Sequence, residues 1–158
     1  IDAHAYPYRL GPVTLYIFRY KVLFKGIRTH IIVEEPLPED ADEAAGTVLD
    51  ALKSARCFIS NHRWGDARGF VFEGEADGTV FRMGDTIPAD RACFRIRLPQ
   101  PGDITLLRNG EQAARASGTV MECVSDGPGA YRVVVRRKGK SWIYSNHIRL
   151  RGDSTDER

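Results

Sequence analysis

The sequence predicts an α+β fold in two parts. A mixed αβ segment occupies residues 1–66, and an immunoglobulin-like antiparallel β-sandwich follows over residues 67–152. Three observations carry this. Apolar residues recur at helical spacing only before Arg68, and after it they alternate with a period of two. Turn dipeptides punctuate the second part at the roughly 8–12-residue spacing of a small sandwich. Charge is divided as well: −4 over residues 1–90, +8 over residues 91–151 and −2 over residues 152–158.

Each element has a local reason. Tyr16 to Lys25 reads as a helix, and the β-branched run Thr29-His30-Ile31-Ile32-Val33 as a strand. Pro36 and Pro38 break the chain. Asp40, with Glu43 three residues on, then opens the clearest helix, carrying Ala45, Val48, Leu49, Leu52 and Ala55 as one apolar stripe. Cys57 to Ser60 is a short strand. From Gly69 onward come Gly69–Glu73, the Asp77-Gly78 turn, Thr79–Arg82 and the alternating Cys93–Leu98. There Phe94, Ile96 and Leu98 point inward while Arg95 and Arg97 point outward. Pro99, Pro101 and Gly102 are expected to end that strand. Asn109-Gly110 is the strongest hairpin signal, because both central residues of a type I′ turn need positive φ. Strands over 118–124, 130–137, 141–144 and 148–150 complete the set. The polar tail 153–158 reads as disordered.

Length and composition set bounds. A chain of 158 residues is too short for a complete (β/α)8 barrel of about 250. No apolar run approaches the roughly 20 residues of a membrane span, so no membrane partner is expected. Neither a signal peptide nor an initiator methionine is present, and the chain reads as part of a longer protein. Cys57, Cys93 and Cys123 are odd in number and widely spaced, which fits buried thiols in a reducing, cytoplasmic setting. No Walker A or GxGxxG motif occurs. Ser60, His62 and Asp66 supply the residue types of a triad without nucleophile-elbow glycines.

The most informative motif is Asp2-Ala3-His4. On a strand, the carboxylate and the imidazole share one face and suit zinc, manganese or iron. Ile1-Asp2-Ala3-His4-Ala5 resembles the closing metal motif of the PHP (polymerase and histidinol phosphatase) family. The likeness extends to its CehA-like branch through Phe18-Arg19-Tyr20, Arg28-Thr29-His30, Ala51 to Phe58, Gly65 to Phe72, Gly129 to Val133 and Trp142 to Asn146. His147 stands where that family often has proline.

The resemblance implies that residues 1–66 are the last part of a PHP-type β/α barrel and that residues 67–152 are its accessory sandwich. It implies a metal-dependent phosphoesterase acting on a phosphate ester, with Asp2 and His4 as metal ligands and an upstream barrel as partner. The remaining ligands are absent from these residues, so the chain alone is expected to be inactive. His30, His62 and Arg63 are candidates for contact with substrate. Arg95, Arg97, Arg132 and Arg136 are candidates for anion binding on the basic sandwich. The alternative reading is a non-enzymatic module that recognises an anionic ligand, a glycan or a protein through that sandwich. Nucleic acid is not expected, because Tyr131 and Trp142 read as core rather than as exposed stacking platforms. A second copy of the chain, in a homo-oligomer, is a further candidate partner.

Overall fold

The structure, a computed structural model, describes residues 4–17 and 19–152. Strand accounts for 59% of these residues, and among them one sheet holds nine of the eleven strands. A separate two-stranded hairpin, β1 (Tyr6–Leu10) and β2 (Val13–Ile17), comes first. A single helical turn, α1 (Tyr20–Leu23), leads to β3 (Ile27–Ile31), helix α2 (Ala41–Lys53) and β4 (Cys57–Asn61). A 3-10 turn, His62–Trp64, precedes β5 (Val71–Ala76), β6 (Thr79–Arg82) and β7 (Thr86–Pro88). The long strands β8 (Arg91–Arg108), β9 (Glu111–Asp126), β10 (Gly129–Arg137) and β11 (Lys140–Arg151) finish the chain.

The expected pair of a barrel remnant and a separate immunoglobulin-like sandwich is corrected here. The sheet runs β3-β4-β11-β10-β8-β5-β6, with β9 on β8 and β7 parallel to β11. β3 and β4, read as barrel remnant, are therefore the hydrogen-bonded end of the same sheet that holds β5 to β11. The physical reason lies in β8. Its first half pairs with β5 and its second half with β10, while β9 pairs with both halves. The register shifts between Arg97 and Gly102, where Pro99 and Pro101 offer no N–H to the ladder. The prolines bend the strand instead of ending it, and one sheet curls over its own inner face. An alternating sequence reads the same whether its apolar face meets a second sheet or the far side of a curled one.

The core fills that inner face. Phe72, Phe94, Ile96, Ile104, Leu106, Tyr131, Val133, Val135, Trp142, Ile143 and Ile148 are fully buried. Each such side chain contributes about 1.5–3 kcal/mol. Phe94 stacks on Tyr131 at 4.4 Å, and the Tyr131 hydroxyl donates to the Gly127 carbonyl at 2.9 Å. Trp142 Nε1 donates to the Gly65 carbonyl at 3.0 Å, fastening the 3-10 turn to β11. Tight turns close the hairpins. Asn109 and Gly110 take φ of +51° and +95°, as the Asn-Gly signal requires.

α2 begins where expected, with Asp40 Oδ1 accepting from the Asp42 and Glu43 amides. Its orientation differs from expectation. Ala51 is its buried residue, and Leu49 and Leu52 of the apolar stripe are exposed. Residues 16–25 are not one helix either: β2 ends at Ile17 and α1 spans only Tyr20–Leu23. The tail 153–158 lies outside the described residues.

Candidate functional site

Apolar residues are distributed unevenly along the chain. Among the described residues, all but two of the buried hydrophobics lie between Ala67 and Leu150, and the two are Ala51 and Phe58. Of the nineteen exposed large hydrophobics, fifteen lie between Tyr6 and Ile59. The sheet satisfies itself, and the N-terminal third leaves its apolar surface uncovered.

The hairpin concentrates this. Gly11 takes φ of +58°, which lets a two-residue turn join β1 to β2. The register pairs Tyr6 with Ile17, Tyr8 with Leu15 and Leu10 with Val13. Directly opposed residues share a face, so six large apolar side chains stand together. Their exposures run from 41% to 64%. The other face carries Pro7 opposite Tyr16, and Tyr16 is exposed as well. An isolated two-stranded hairpin is marginal in water, so this one needs cover. Arg9, Arg19, Lys21, Lys25 and Arg28 accompany it, and no Asp or Glu occurs from residue 4 to residue 33.

The predicted histidines occupy a second region. β3 and β4 pair His30 with Phe58 and Arg28 with Ser60. His30 Nε2 lies 2.8 Å from the Ser60 hydroxyl, and its ring lies parallel to Phe58 at 4.3 Å. Phe58 in turn meets Phe70 edge-on at 4.9 Å. Burial holds the His30 imidazole below its ordinary pKa; Asp66 opposes this, and Arg28, His62 and Arg68 reinforce it. The Asp66 carboxyl is held at about 2 by its hydrogen bonds from the Arg68 guanidinium and amide. His62 is half-buried, and its Nδ1 is a buried atom without a hydrogen-bond partner. Arg63 is exposed on the same turn. Ser60 is completely buried, so its hydroxyl is shut away from any substrate and the pair with His30 acts as a core contact.

The arginines predicted to bind anions are exposed on the outer face of the sheet. Arg95 donates to Glu122 at 2.8 Å and lies 3.9 Å from Glu75, so acidic neighbours on both flanking strands already clasp it. Arg136 stands opposite Asp103. Arg97 and Arg132 face Val71 and Leu107 across their ladders. These four residues form no single cluster: Arg95 and Arg97 sit on the first half of β8, while Arg132 and Arg136 flank its second half.

Asp2 lies outside the described residues. His4 is exposed, with its ring 5.7 Å from that of Tyr6. Among the described residues, no group of three or more His, Cys, Asp or Glu side chains stands together as a metal would require. Here His30 is engaged by Ser60 and Phe58, and His147 Nδ1 lies 3.2 Å from Asn146 Oδ1. This overturns the expected function, a fragment of a metal-dependent phosphoesterase carrying its last metal motif. The descriptions PHP domain, hydrolase and metal-binding fall with it.

Sequence reasoning missed the hairpin face. The signal was present, since Tyr6-x-Tyr8-x-Leu10 and Val13-x-Leu15-x-Ile17 alternate on either side of Gly11-Pro12. Among the described residues, no helix is long and apolar enough to cross a membrane. The chain matches no family model, no curated protein and no solved structure.

Proposed function

We propose that this chain is a docking domain whose curled sheet is a scaffold and whose N-terminal segment seats in another polypeptide. The observation that carries the proposal is the uncovered six-residue apolar face of the β1–β2 hairpin. Monomeric proteins rarely leave such a patch open unless it meets a partner. Eleven large apolar residues between Tyr6 and Ile27 are roughly half exposed. At on the order of 100 Å² apiece they offer about 1,000 Å², above the ~800 Å² per partner of a standard interface.

Charge and shape select the kind of partner. A second copy would set five cations against five cations, so the complementary surface is acidic at its rim and apolar at its centre. A bilayer covers a hairpin lying flat on its surface from one side, whereas Tyr8 and Tyr16 are exposed on opposite faces here. A polypeptide groove encloses both.

Photo-crosslinking side chains at Tyr8, Tyr16 and, as a control, Val120 test this in cells that produce the full chain. The expected result is one discrete heterologous adduct, shared by positions 8 and 16 and absent at 120. Adducts with lipid, co-sedimentation with phosphatidylserine vesicles, adducts only with the chain itself, or no adducts would each overturn the reading.

A further inference from the structure

We infer that the cleft between residues 32–34 and the β5–β6 hairpin is a binding site for a free α-amino acid with a large apolar side chain. The cleft has a volume of about 440 Å³, within the usual range for small-ligand sites. A neighbouring cavity of about 420 Å³ shares Ile32, Val33, Glu34 and Arg56 with it and reaches α2. Ile32, Val33 and Val71, each half-buried, supply its apolar lining, with Phe70, Phe72 and Met83 packed beneath them.

Two cations and two anions meet at this lining. Glu34 Oε1 accepts from Arg56 at 2.8 Å and from Arg82 at 3.3 Å. Glu73 stands directly opposite Arg82 in the β5–β6 register. One carboxylate oxygen thus serves two guanidiniums, each of which has five N–H donors. The four lining charges balance, and Asp85 lies 3.8 Å from Arg56 just outside them, so a polyanion finds no net attraction. A zwitterion matches both signs at once. Its carboxylate seats on Arg82 and Arg56, its ammonium on Glu73 and Glu34, and its side chain on the apolar wall. This site is separate from the hairpin face and does not depend on the docking reading.

Calorimetric titration of the full chain tests the assignment, with L-phenylalanine, L-leucine and L-tryptophan as probes. Two analogues accompany them: 3-phenylpropanoate, which lacks the ammonium, and phenethylamine, which lacks the carboxylate. The expected result is saturable binding of at least one amino acid, with both analogues weaker than L-phenylalanine by about tenfold or more. Arg82→Gln, at an exposed position, is expected to weaken amino-acid binding by a similar factor with an unchanged unfolding midpoint. No binding of any amino acid at millimolar concentration overturns the inference. So does equal binding of the analogues, or binding unaffected by Arg82→Gln.

Discussion

His30 and Ser60 show how a chemically suggestive pair becomes a structural one. The hydroxyl of Ser60 is fully buried, and His30 is its hydrogen-bond partner. Ser60→Ala leaves the imidazole nitrogen facing a methyl group, and a loss of about 1–3 kcal/mol is expected in urea unfolding. A loss under about 0.5 kcal/mol would mean that the bond contributes nothing. The same imidazole gives the protein a pH dependence. Its folded pKa lies below the ordinary 6.5, so the unfolded chain takes up this proton first as the pH falls. Stability from neutral His30 is present above that value and is lost as the pH drops through and below it. Unfolding measured from pH 8 down to pH 5 should therefore fall more steeply for the wild type than for His30→Gln. Equal slopes would contradict the burial that sets the shift.

At the scale of elements, what was legible in the sequence is what rests on local chemistry. The Asp40 cap, the Asn109-Gly110 turn and the inward set Phe94, Ile96 and Leu98 all follow from residues close in sequence. What was not legible depends on distant partners. Pro99 and Pro101 look like a strand end, yet β9 pairs with β8 on both sides of them. Leu49 and Leu52 look like a packed stripe, yet α2 buries Ala51 and leaves them outside. The cleft charges come from four separate segments, so no spacing could have announced them. Gly84 is a further long-range constraint. A Cβ there would lie 1.8 Å from the Ser54 carbonyl oxygen, at φ of +95°. Gly84→Ala must push the end of α2 off the sheet, and a loss of more than about 2 kcal/mol is expected in urea unfolding. A smaller loss would show that α2 is not held against this turn.

For the whole molecule, the division between a satisfied sheet and an uncovered N-terminal segment is the central claim. The buried core lies almost wholly between Ala67 and Leu150, so the hairpin face adds little to the stability of the chain on its own. The double substitution Leu10→Glu with Leu15→Glu places two carboxylates on that face, directly among Tyr6, Tyr8, Val13 and Ile17. The decisive measurement pairs urea unfolding of this variant with crosslinking from position 8. The account predicts an unfolding free energy within about 0.5 kcal/mol of wild type and complete loss of the heterologous adduct. A drop of more than about 2 kcal/mol, or an adduct that persists, would contradict it: the face would then belong to the chain's own core, or the partner would dock elsewhere.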